Sequence, residues 1–444
     1  MKLEVFHAAD GDCMLLTSAD GHHVLVDGGR AGTFAENTSP RLQQLGRAGE
    51  VIDLVLVSHI DADHITGILR LLKDVGDWVV FDHQRSDGAN PDFPEPKAPR
   101  PPDIGALWHN SWRAQVDDLE GPISALAVQV TEAMALDPGL VAAAPESSQR
   151  ALTDLSGLAE SIADGVALSR LVEERTPLER NKGFPNHLVR LRERPHRLKA
   201  GSTTLTVLGP TEEHVAALRD EWREWFAKKG IRLATNRDGA PPTTGGRAGD
   251  GAGSGTGLAL GGRSPGSLEE AAQIIEKAGS SHVTTPNRAS ITVLAEESGR
   301  SVLLTGDAAE EEIVDGLSAV GKLGGSRGDA PFHCTVLKVQ HHGASHNLSR
   351  GFAERVIADH YVFSADGAHD NPEPSVIATI TETRPSGAGP YTFWFTSSEQ
   401  RSPSESRRSS MASALTEARD AAARHDELTV RVLPDDEASF VIEV

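Results

Sequence analysis

The chain has 444 residues, a formal charge of −21 and only 5% aromatic side chains. That length allows a full hydrophobic core and two or three domain-sized units, or one large domain with insertions. The charge repels phosphate backbones at long range and speaks against broad, non-specific nucleic-acid binding. Arginines and lysines gather at residues 170–199, where a solvated surface is the simpler reading than a basic groove. The two cysteines, Cys13 and Cys334, form no C-x-x-C pair, so no disulfide framework is expected. No basic stretch leads into an apolar one, and no uncharged apolar run approaches ~20 residues, so neither a secretory signal nor a membrane span is expected. The expectation is a cytoplasmic protein without a membrane partner.

In chain order, apolar β-rich runs at 13–17 and 23–27 flank Ala19-Asp20-Gly21 and predict a hairpin. Asp27-Gly28-Gly29 closes the second run in a permissive turn, and a helical segment follows at 42–46. Residues 51–57 are apolar except for Asp53, the pattern of a strand covered on both faces. A short amphipathic helix is predicted at 65–72, and residues 111–181 are mostly helical. Strands are predicted at 188–191 and 203–208, then a helix at 211–229 capped by Thr211, with Glu212 and Glu213 in its first turn. Residues 233–267 include GGRAGDGAGSGTG but lack the G-K-[ST] ending of a phosphate-cradling loop; they read as a linker or surface loop whose deletion should cost little activity. Strands follow at 290–296, 301–305 and 335–340, a helix at 348–358, strands at 361–364 and 391–396, and a polar helical tail with a final hairpin of 428–433 and 439–444. Such mixing predicts a layered α/β architecture.

The strand at 51–57 runs into SHIDADH, which puts His59, Asp61, Asp63 and His64 within six residues. One aspartate there would ordinarily cap the next helix. Four such groups together are different, because crowded carboxylates repel unless a cation or several donors hold them. On a tight strand-to-helix turn the four side chains can diverge toward two metal positions. Two later strands also finish in ligand-type residues, one in Gly306-Asp307 and one in His341-His342-Gly343.

The ordered set VDGG (26–29), SHIDADH (58–64), LLTGDA (303–308) and LKVQHHGAS (337–345) resembles the metallo-β-lactamase superfamily, and within it the ComEC-type domain of competence proteins. The resemblance implies an αββα sandwich, with 1–110 and 268–400 as its halves, 186–232 as further core, and 401–444 as a C-terminal helix and hairpin. A mainly helical insertion (111–185) and the glycine-rich loop (233–267) interrupt it. It also implies that His59 and Asp61 serve one divalent metal, Asp63 and His64 a second, with Asp307 bridging. One of His341 or His342 completes the second position; His341 is favoured because it directly ends the strand. Asp63 and Asp307 are the carboxylates on which catalysis should depend. The family's third histidine motif has no obvious counterpart, and Asn287 or Ser290 occupies the corresponding region. His109 could supply an imidazole from the insertion, though a packed histidine is the simpler reading. Asp27, His369 and Asn371 are further site candidates.

Two closely spaced cations can hold a shared hydroxide and polarise a phosphoryl or carbonyl oxygen. The carboxylate-rich donor set makes manganese a rival to zinc. The leading expectation is a binuclear hydrolase of phosphodiesters, acting on short single-stranded nucleic acid or a nucleotide; that substrate preference comes from the resemblance. The alternatives are an ester, thioester or lactam hydrolase using the same site, or a metal-binding regulatory module without turnover.

Overall fold

The computed structural model describes residues 1–88, 90–136, 138–143, 145–228, 272, 289–324 and 330–444. Of the predicted features, the 233–267 loop and Asn287 lie outside these residues. The chain divides into two compact units, Met1–Gln115 with Glu160–Ala216 and Thr285–Val444, and Val116–Ala159 with Ala217–Thr284. The second unit contains a helix, Glu120–Leu136, whose Ile123, Leu126, Ala127 and Val130 are buried, and it also buries Trp222 and Phe226.

The first unit is built on two sheets. In one, β1 (Lys2–Phe6), β2 (Met14–Thr17) and β3 (His23–Val26) form an antiparallel meander. β4 (Ile52–Val57) and β5 (Leu107–His109) continue it in parallel. The other sheet begins with the antiparallel set β6 (Arg197–Ala200), β7 (Thr203–Gly209), β8 (Thr292–Glu297) and β9 (Arg300–Leu304). It runs on in parallel through β10 (Phe332–Lys338), β11 (Val356–Phe363), β12 (Tyr391–Phe395) and β13 (Leu428–Val432). The last strand, β14 (Ser439–Glu443), crosses back to pair with β1.

The two-residue period of strands assigns the faces. Leu54 and Leu56 of β4 meet Val293, Ala295, Val302, Leu304 and Val336 between the sheets. The intervening Leu294, Leu303 and Leu337 point outward, under a layer of helices contributing Ile313, Leu317, Ile380, Met411 and Leu415. This is the αββα sandwich of the metallo-β-lactamase fold.

Several expected elements differ. Residues 188–191 make no strand; Val189 N–H and carbonyl are satisfied by the side-chain amide of Asn110 instead of a neighbouring ladder. The expected 65–72 helix is α1 (Ala62–Arg85), far longer. The expected 348–358 helix stops after Arg350–Arg355, and Val356 already belongs to β11. The expected final hairpin is no hairpin, because β13 and β14 lie in different sheets.

Candidate metal centre

Three strand ends bring the ligand-type residues together. β4 ends at Val57, and Asp61 stands at the N-cap position of α1. Its carboxylate makes no capping bond and instead faces His59, with Oδ2 3.6 Å from Nε2. Asp63 and His64 follow in the first turn. After β9 the chain turns at Gly306, whose φ of +52° and closeness to Ser58 leave no room for a side chain; a Cβ there would lie 2.9 Å from that of Ser58. This turn presents Asp307. After β10, His341 and His342 both adopt left-handed backbone, φ 47° and 55°. Such conformations are costly for non-glycine residues and persist only where the surroundings enforce them.

The histidine tautomers follow from their outer contacts. Ser58 Oγ lies 2.7 Å from the Asp27 carboxylate, which can only accept, so the serine proton goes there. His59 Nδ1, 3.0 Å from Ser58 Oγ, must then be the donor, so that in the neutral ring the electron pair lies on Nε2. That Nε2 is buried without a hydrogen-bond partner among the described residues, and it faces Asp61 Oδ2 and, at 3.7 Å, Asp307 Oδ2. His64 donates through Nδ1 to Asp27 Oδ2 (3.0 Å), and His342 through Nδ1 to the Ser364 carbonyl (2.7 Å). Their Nε2 atoms meet at 3.2 Å, with Asp63 Oδ2 at 3.6 and 3.3 Å and the Asp307 carboxylate at 3.5 and 3.4 Å. Imidazoles oriented from behind, with inward electron pairs among carboxylates, are the donor set that divalent cations take.

The charges agree. Burial opposes ionisation of Asp63 and Asp307, yet the neighbouring histidines hold both well below the usual carboxylate range. Burial likewise disfavours a charged His342, but Asp307 overcomes it and lifts its pKa to about 10; His64 rises for the same reason. Protons therefore do here what a metal ion would do better.

The candidates separate as follows. His342 Nε2 sits among the Asp63, His64 and Asp307 donors, while His341 Nε2 lies 3.8 Å from Asp307 Oδ2 and its Nδ1 is tied to Asn347. Of the pair, the structure sets His342 rather than the favoured His341 among the other donors. Asp27 stands behind His64. Ser290 is buried beside Gly306, with its hydroxyl unpartnered among the described residues. His369 and Asn371 line the cavity that opens onto Asp61, Asp63 and Asp307. His109 is buried in β5 with its pKa lowered to about 3 by desolvation and Arg180, and neither ring nitrogen meets a partner among the described residues. The arginines near residue 190 line an open cleft, interleaved with Glu193, Glu212 and Glu213 and with Arg190 paired to Glu212, so it is not a basic groove.

Sequence reasoning missed the buried pair behind the site. Lys338 Nζ lies 2.6 Å from Asp12 Oδ2, 3.6 Å from Asp307 Oδ1, and donates to the Gly306 carbonyl at 3.1 Å. Asp12 groups closely with His64, Asp307 and His342. It stands, however, on the Nδ1 side of both rings, at 3.8 and 3.6 Å, behind the inward-facing Nε2 atoms. A lysine inside the apolar run TVLKV was the available signal. Asp10, Arg30 and Asp366, which line the cavity, and Arg407, which pairs with Asp366 and Asp10, were also missed.

Residues 9–126, about a quarter of the chain, match the metallo-beta-lactamase superfamily, whose members are mostly hydrolases and usually bind divalent metals. This segment contains β4, the start of α1 and the SHIDADH turn; the strands bearing Asp307 and His342 lie beyond it. Compared with curated proteins, the chain matches none.

Proposed function

We propose that the protein is a binuclear metal-dependent phosphodiesterase of the ComEC-type branch, cleaving short single-stranded nucleic acid or nucleotides. The observation that carries this is the buried His59 Nε2, without a hydrogen-bond partner among the described residues, facing Asp61 Oδ2 at 3.6 Å and Asp307 Oδ2 at 3.7 Å. His59, Asp61 and Asp307 would hold one cation, and Asp63, His64, His342 and Asp307 the other. Bound divalent cations would lower the pKa of water and neutralise charge developing on a phosphoryl oxygen. Asp27 and Ser58 fix the imidazoles from behind. Lys338, paired with Asp12, restrains Asp307 from the protein side. The predominance of carboxylate oxygens suits manganese as well as zinc. The cavity is small, about 110 Å³, which favours a slender phosphodiester over a bulky acyl substrate.

The test begins with metal content of the purified protein. We expect two ions per chain and metal-dependent hydrolysis of bis-p-nitrophenyl phosphate and single-stranded DNA, but not of nitrocefin or a thioester. Asp63→Ala and Asp307→Ala should reduce phosphodiester cleavage to background; retained activity in both would refute the site. One feature favours a second reading, a metal-binding module without turnover: Asn287 or Ser290 takes the region of the family's third histidine motif, so His59 is the one imidazole proposed for the first position, among carboxylates. Bound metal with no hydrolysis of any of these substrates would support it.

A further inference from the structure

Beside the metal centre the same cavity has a charged rim that the proposed chemistry does not use. Arg30 forks onto Asp10, with Nε and Nη2 at 2.8 and 3.0 Å from its two oxygens. Arg407 Nη1 contacts both oxygens of Asp366, at 2.9 and 2.8 Å, and its Nη2 reaches Asp10 at 3.4 Å. Asp10 thus joins two guanidinium groups that arrive from opposite ends of the chain. The acids are buried, whereas the Arg30 side chain is 43% exposed and its Nη1 makes no hydrogen bond to a described residue.

A buried carboxylate that holds a half-exposed arginine, Arg30, on the lining of a cavity fits recognition of an oxyanion, since the fork geometry is fixed in advance and the Nη1 N–H groups are left over. Charge balance points the same way. Five carboxylates, those of Asp10, Asp61, Asp63, Asp307 and Asp366, line the cavity. Two divalent cations and Arg30, the arginine that lines the cavity, would match them.

We propose that Arg30, with its partner Asp10 braced from behind by Arg407, forms a second phosphate subsite that grips the phosphate next to the scissile one and so selects substrates with two closely spaced phosphates. This rests on the phosphodiesterase reading. The second phosphate can come from a neighbouring diester or from a 5′-terminal monophosphate, and the two are separable by substrate.

The manganese-loaded protein is assayed on TpT, on pTpT, which adds a terminal phosphate, and on TpTpT, which adds a diester. We expect at least one two-phosphate substrate to exceed TpT in kcat/KM by about ten- to a hundredfold, the worth of one hydrogen bond between charged groups. Arg30→Gln and Arg407→Gln should erase that preference, mainly through KM, with manganese content retained. Equal use of all three substrates, or a preference that survives both variants, overturns the subsite. If wild type cleaves none of them, the phosphodiesterase reading fails and calorimetry decides the subsite alone. Inorganic pyrophosphate should then bind the manganese-loaded protein more tightly than inorganic phosphate, and Arg30→Gln should remove the difference; equal affinities, or a difference that Arg30→Gln leaves intact, overturn it. Should Arg407→Gln not fold, Arg407→Lys replaces it, keeping the charge but not the fork.

Discussion

His64 and His342 meet through their Nε2 atoms while both Nδ1 atoms donate outward, so at most one proton bridges them in the metal-free protein. The carboxylates around them raise both pKa values, His342 to about 10. Metal uptake must therefore expel at least one proton at neutral pH, and affinity should rise with pH up to about 10. Calorimetry in buffers of different ionisation enthalpy would detect the release; an uptake independent of both buffer and pH would contradict it. The linkage sign is fixed in the same way. A histidine titrating near 6.5 when unfolded and at a higher pKa when folded stabilises fully below ~6.5 and loses that contribution as pH rises through the folded value. Metal-free protein should accordingly lose thermal stability between about pH 7 and 10, and the loaded protein should lose less. Behind the rings, Asp27→Asn would remove the acceptor that orients His64 and Ser58, and metal affinity should fall by about 10–100-fold, read by competition with a chelating dye. The ligand-type residues were legible because acids and imidazoles crowded in sequence admit few explanations. The choice between His341 and His342 was not, since two left-handed residues decide which ring turns inward.

The element that organises the centre is α1, and its first turn docks on the loop after β3. Gly28 N–H donates to the His64 carbonyl at 2.8 Å, and Gly67 N–H to that of Gly29 at 2.9 Å. A Cβ on Gly67 would lie 2.0 Å from the Gly28 carbonyl oxygen. Gly67→Ala should therefore push the helix off the D-G-G turn. We expect a loss of ~1–3 kcal/mol, the usual cost of overpacking, together with lowered metal content because Asp63 and His64 ride on that turn. Denaturant unfolding and metal analysis would check both; an unchanged midpoint would mean the contact yields freely. The helix itself was foreseen, but its extent was not. Its apolar spacing continues through Leu71, Leu72 and Trp78, beyond the segment beside the motif. Residues 188–191 misled for the opposite reason. Their apolar run is buried as a strand would be, but the Asn110 amide takes the place of a neighbouring backbone.

For the molecule as a whole, the decisive contacts join residues hundreds of positions apart, and local pattern carries little information about them. Residues 428–433 and 439–444 look alike as strands, so a hairpin was the natural expectation, yet one extends the second sheet and the other closes the first. What separates them is partner choice: β14 lies along β1, with Ile442 opposite Leu3 in the core between the sheets and Phe440 stacked on Trp394, centroids 4.8 Å apart. Ile442 is 2% exposed, whereas its neighbour Val441 is 47% exposed. This gives a paired test of the closure. Ile442→Ala should cost ~2–5 kcal/mol, as for other large-to-small core changes. Val441→Ala should stay within about 0.5 kcal/mol, as for surface sites. Urea unfolding of both variants provides the comparison. Equal small losses would show that β14 contributes an edge without belonging to the core. The expected asymmetry would tie the end of the chain to the same sandwich whose strand ends carry the metal centre.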